Sequence, residues 1–122
     1  MKEVDIGTRK YTIVHVADEP APDGANHEYY ISRAGEDNDG IAGEFFGHIC
    51  FQKGPIKEAG VNGCHHEDLI AICIHRLQSY QSGKFNCDEN AIAITKLQEA
   101  LHWLNYRTDD RSQRGVEGTS VP

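Results

Sequence analysis

The sequence predicts an α+β protein: a small N-terminal antiparallel β-sheet over residues 1–60, followed by a long antiparallel αα-hairpin over residues 61–119. Three observations carry this. Residues 10–17, KYTIVHVA, alternate in polarity and are rich in β-branched side chains, as in a half-buried strand. Ile94, Leu97, Leu101 and Leu104 recur at i, i+3, i+7 and i+10, which places them on one helical face. Between the two regimes, GPIKEAGVNG at 54–63 is broken by three glycines and a proline, which puts the boundary near residue 60.

The strands come first. After KYTIVHVA, the stretch DEPAPDGAN has two prolines, a DG pair and no periodicity, and reads as a loop. HEYYISRA at 27–34 is a second strand. GEDNDGIAG is an acidic turn-rich loop, and its part in closing a pocket is open. EFFGHICFQ at 44–52 is a third strand, in which Gly47 marks a bulge. Short connections make the three an antiparallel meander with one face covered. The helices follow. In CHHEDLIAICIHRLQSYQSG, Leu69, Ile70, Cys73, Leu77 and Tyr80 share a face, Glu67 and Asp68 suit the positive helix start, and Gly83 suits the C-cap. Asn86 with Glu89 reads as the N-cap of the second helix, which Gly115 and Gly118 end. Ile72, Ile74, Ile92, Trp103 and Tyr106 lie off the paired faces. The apolar surface left over calls for the sheet and a second copy of the hairpin, and hence a homo-oligomer.

The chain has 122 residues, one domain's worth or a small sheet with an appended hairpin. Twelve basic against nineteen acidic residues give a formal charge of −7, which argues against a partner with a long nucleic-acid backbone. A small anion at a local basic spot remains compatible. No apolar run reaches the roughly 18 residues of a membrane span, and MKEVDIGTRKY lacks a secretory core, so a soluble protein of the cytoplasm is expected. Cys50, Cys64, Cys73 and Cys87 then read as free, buried thiols. Cys64, His65 and His66, with Cys73 and His75, invite a zinc reading, but there is no CxxC or HxxxH pair, so neither metal nor cofactor is expected.

Arg107, Arg111 and Arg114 follow the last leucine at i, i+4 and i+7. Arginines there complement the negative end of the helix dipole, and Asp110 can pair with Arg114. They can equally fork onto phosphate oxygens. Spacing alone leaves both open.

From residue 60 to 119 the chain resembles the helical hairpin of bacteriophage Thoeris anti-defence sponges of the first type and, more distantly, the anti-CBASS sponges of the second type. The turn at Tyr80–Gly83, the helix from Glu89 to Leu104 and the tail from Arg107 to Thr119 carry the resemblance. It implies a non-enzymatic homo-oligomer, dimer or hexamer, that sequesters cyclic nucleotide immune signals in the host bacterial cytosol. The signals would be cyclic ADP-ribose isomers and, in some members, cyclic di- or trinucleotides. It also implies a signal-binding set: Tyr80 to stack on a base, Asn90 to bond a base or ribose edge, and Arg107 and Arg111 to hold a pyrophosphate. Asp88 stands where relatives often carry a basic residue, which weighs against a separate oligonucleotide pocket. Two rivals remain. A protein–protein module would use the arginines on carboxylates. A signal-degrading hydrolase would draw on HHED at 65–68 or on Asp109 and Asp110, without a P-loop, HExxH or GxSxG.

Overall fold

A computed structural model describes residues 2–7, 10–35 and 41–122, with backbone alone at 41–43. Most of the acidic loop, residues 36–40, lies outside the described residues. The chain divides into two compact units, Met1–Lys53 with Asn62–Cys64, and Gly54–Val61 with His65–Pro122.

The first unit is the antiparallel sheet the sequence predicts. Its strands are β1 (Lys2–Glu3), β2 (Thr12–Val16), β3 (Glu28–Ala34) and β4 (Ile41–Cys50), in the order β1-β2-β3-β4. β1 is an addition to the three expected strands, since two residues are too few to show alternation. Ile13 pairs with Ser32 and His15 with Tyr30 across β2 and β3, so they share a face, on which Ile13, His15 and Ser32 are buried. Ile31 pairs with Gly47 but Ser32 with Phe45, leaving Phe46 as the extra residue of a bulge beside Gly47.

Asp18 closes the β2–β3 connection. Its Oδ2 accepts the His27 N–H at 2.9 Å, and its Oδ1 accepts the Glu28 N–H at 3.3 Å. These bonds hold the Asp18 carboxyl below its ordinary value, the one from His27 most strongly. At the far end of β4, residues 62–64 return to the sheet. The Cys64 N–H donates to the Cys50 carbonyl at 2.8 Å, and the Gln52 N–H to the Cys64 carbonyl at 2.9 Å. Gly63 permits this approach, because a Cβ there would lie 2.6 Å from the Cys50 carbonyl oxygen and would overlap the Phe51 backbone.

The second unit holds α1 (Ile56–Ala59), α2 (His66–Gln81) and α3 (Asp88–Gln113). α1 is a single turn inside the stretch read as a junction. α2 opens with the His65 N–H donating to the Asp68 carboxylate at 2.8 Å. It ends at Ser82 rather than at the expected Gly83. α3 begins one residue past Cys87, not at an Asn86 cap; the Asn86 side chain instead donates to the Gly83 carbonyl at 2.7 Å and shapes the turn. Gln81 clamps that turn, its Nε2 donating to the Cys87 carbonyl at 3.0 Å and its Oε1 accepting the Cys87 N–H at 2.9 Å.

Ile94, Leu97, Leu101 and Leu104 form part of the less exposed face of α3, as their spacing predicts. On α2 that face is Ile70, Ile74 and Leu77, with Ile74 buried and Cys73 exposed, the reverse of the expected placement. The phase follows i, i+4, i+7 from Ile70, which passes through position 74 and misses 73. Nor are the thiols buried: Cys50, Cys73 and Cys87 are exposed and Cys64 is intermediate.

α3 stops in a helix-ending turn. Gly115 takes φ +75°, the Val116 N–H reaches back to the Arg111 carbonyl at 3.0 Å, and the Gly115 N–H to the Ser112 carbonyl at 3.1 Å. The tail then meets α1, with the Lys57 N–H donating to the Gly118 carbonyl at 3.0 Å. No helix among the described residues is long and apolar enough to cross a membrane.

Candidate ligand-binding site

The turn of the hairpin builds a cleft. Arg76, Leu77 and Tyr80 from the end of α2, Phe85 from the turn and Asn90 from the start of α3 line an open cavity of about 510 Å³, within the range of small-molecule sites. Tyr80 is held in place rather than swinging free. Its hydroxyl accepts from the Arg76 guanidinium at 2.8 Å, that guanidinium lies 5.0 Å from its ring centroid, and the Phe85 ring meets it edge-on at 6.3 Å. The cleft thus offers two aromatic rings, a fixed cation and a half-buried side-chain amide. Such a set can stack a planar base and bond its edge.

Two of the four residues singled out in the sequence, Tyr80 and Asn90, meet here. Arg76 and Phe85 complete the cleft and went unmarked; the one available signal is that Arg76 sits four residues before Tyr80 on the same helix.

The other two lie elsewhere. Arg107 follows Asn90 by seventeen residues on the uninterrupted α3, a rise of about 26 Å. Within one chain it cannot share a small ligand with the cleft. Arg107 is exposed, and its side chain makes no hydrogen bond or ion pair among the described residues. Arg111 is only 7 % exposed. Its guanidinium donates to the carbonyls of Val121 (2.7 Å), Val116 (3.0 Å) and Thr119 (3.1 Å) and to the Glu117 carboxylate (3.3 Å). Its donors are engaged with its own chain, so it ties the tail to the helix. Arg114 pairs with Asp110 at 3.1 Å, the local pairing that the spacing allows.

Exposed apolar surface flanks Arg107. Trp103 is 65 % exposed and Tyr106 58 %, their rings edge-on at 5.9 Å, and Ile72 on α2 and Ile92 on α3 also face outward. Ile13 and Ile74 are the only apolar side chains buried among the described residues. Cys64, His65, His66, Cys73 and His75 form no metal-ligand group of three among the described residues.

The comparisons with known proteins include this hairpin. Residues 47–109 match the family model for the Acb2/Tad1 hairpin domain. The chain is also similar to Thoeris anti-defense 1 of Bacillus phage SBSphiJ7, with 50 % identity over 97 residues that span 77 % of this chain and 68 % of the relative.

Proposed function

The chain belongs to the Acb2/Tad1 hairpin family of anti-defence proteins, and on that premise we propose that it binds a cyclic nucleotide immune signal, of the cyclic ADP-ribose type, and sequesters it without cleaving it. The cleft at the hairpin turn carries this reading, because Tyr80 and Phe85 give a base a stacking wall, Asn90 a hydrogen-bonding edge and Arg76 a cation.

The site is composite. A cyclic ADP-ribose has a pyrophosphate as well as an adenine, and the exposed Arg107 is the group best suited to it. Two hairpins laid antiparallel, with a two-fold axis near the middle of α3, bring the partner's Arg107 to the cleft. One operation makes two equivalent sites. The exposed Trp103 and Tyr106 and the scarcity of buried apolar side chains support such a homo-oligomer. Arg111 serves the site indirectly, by fixing the tail that ends the helix bearing Arg107.

Magnitudes favour two subunits. Nanomolar capture requires about −12 kcal/mol. One charge-assisted bond contributes roughly 1.5–3 kcal/mol and one base stack roughly 1–3 kcal/mol. Contacts from a single chain fall short once association entropy is subtracted.

Isothermal titration with the glycocyclic ADP-ribose isomers and with cyclic di- and trinucleotides tests the reading, followed by chromatography of the ligand released on heating. Tight binding with the ligand recovered intact supports it. Recovery of a cleaved product rejects sequestration. Binding to none of these signals rejects the ligand class and turns the search to protein partners.

A further inference from the structure

The first unit holds a second cluster of reactive side chains, none of which is a residue of the cleft. We propose that Glu28, His48 and Cys50 form a site for a divalent transition ion of the zinc class, with a fourth coordination position open to solvent. The β3–β4 register places Glu28 opposite Cys50 and Tyr30 opposite His48, so all three side chains leave the same face of the sheet. Their ligand atoms lie within 4.8 Å of one another. The Glu28 carboxylate is 2.9 Å from His48 Nε2, Cys50 Sγ is 3.5 Å from that nitrogen, and the carboxylate and the sulfur are 4.0 Å apart. Ordinary zinc bond lengths with tetrahedral angles put oxygen, nitrogen and sulfur ligands about 3.4–3.6 Å apart. Each observed separation is within about half an ångström of that.

The frame is set before any ion arrives. Two adjacent strands fix the three Cα positions, and the His48 ring stacks on Tyr30 with centroids 4.2 Å apart and planes at 2°. The Glu28 N–H is itself held by Asp18. A surface ion pair would account for Glu28 and His48, but not for a sulfur placed beside both.

The donor set selects the ion. Calcium and magnesium take oxygen ligands, whereas one thiolate, one imidazole and one carboxylate suit zinc and cobalt(II). On binding, the Cys50 thiol gives up its proton to solvent. Thiolate and carboxylate then neutralise the dication, so affinity rises with pH until the thiol and imidazole are deprotonated. Three protein ligands leave the fourth position to water, a geometry that closed structural sites do not have.

Cobalt(II) titration of the reduced full-length protein, followed by zinc back-titration, tests the site. The expected result is one ion per chain, with a thiolate-to-cobalt charge-transfer band and the strong visible bands of a four-coordinate centre, both bleached by zinc. Cys50→Ser should abolish the charge-transfer band, while Cys64→Ser, Cys73→Ser and Cys87→Ser leave it. Glu28→Gln and His48→Gln should weaken zinc affinity at least about tenfold, the smallest loss expected even for an outer-shell partner, with far-ultraviolet circular dichroism unchanged. Absence of the band from the wild-type protein overturns the proposal, and so does a band that survives Cys50→Ser. No signal nucleotide enters the experiment, so its outcome is independent of the function proposed for the hairpin.

Discussion

The Arg111 guanidinium donates to the Val121 carbonyl at 2.7 Å, across ten residues and around the end of α3. Val116, Thr119 and Glu117 receive its other bonds, so one buried side chain secures the tail. Arg107, one turn earlier, carries the same charge and is exposed. Arg111→Ala should therefore destabilise the fold by about 1–3 kcal/mol, through loss of part-buried hydrogen bonds made by a charged group, and Arg107→Ala should change stability by no more than about 0.5 kcal/mol. Urea denaturation of the two variants measures the difference. Equal stability would mean that the tail contributes nothing.

A composite site makes a prediction that a single-chain site cannot. Arg107→Ala should weaken signal binding by about 1.5–3 kcal/mol, and Tyr80→Ala by roughly 1–3 kcal/mol. If Tyr80 and Arg107 reach one ligand from different chains, a heterodimer of the two variants holds one site with both residues and one with neither. Co-expressed and purified through two different tags, it should recover wild-type affinity at half the stoichiometry. If both residues act on a ligand within the same chain, every site remains defective and no tight binding returns.

Much of this was legible in the sequence, and the misses have definite causes. The leucine spacing located the inner face of α3 because period dominates in a helix of 26 residues. The same phase reaches Arg111, seven residues after Leu104 and fourteen after Leu97, and so foretells its burial. Reading the arginines as a stripe of like residues hid this, since residue type argues for exposure and phase argues against it. Asn86 is an N-cap by type, but Gln81 already clamps Cys87 and sets the first turn one residue later. β1 and α1 are too short for any period to register. The Glu28–His48–Cys50 cluster depends on strand register, which no linear spacing of ligands reveals.

Gly63 marks a tight approach in the sheet unit. Gly63→Ala would put a methyl group 2.6 Å from the Cys50 carbonyl oxygen and into the Phe51 backbone, where no flexible side chain can yield. Residues 62–64 would have to leave the end of β4, breaking the two backbone bonds that join Cys64 to Cys50 and Gln52. The expected cost is about 1–3 kcal/mol, typical of overpacking. Hydrogen exchange should show faster amides at Gln52 and Cys64, with α3 unchanged. Unaltered protection at both amides would mean that the segment does not need this approach.

Asp18 gives the sheet unit a sign for its acid sensitivity. The His27 N–H is the main cause of its lowered pKa, and the Glu28 N–H and the Asn26 side chain act in the same direction. In the unfolded chain the carboxyl returns to its ordinary value near 3.8. The folded state therefore binds fewer protons than the unfolded state in that region, and stability rises with pH there. The contribution is complete above the unfolded value and is lost as pH falls through the lower, folded one. Asp23 adds to it with the same sign, its pKa lowered chiefly by the Ala25 N–H. Asp18→Asn keeps the shape but carries no titrating proton, so the stability difference between wild type and variant should shrink as pH drops from 6 toward the folded pKa. Urea midpoints at a series of pH values read this directly. A constant difference across the acid range would show that the carboxylate charge is not what holds the 18–28 connection.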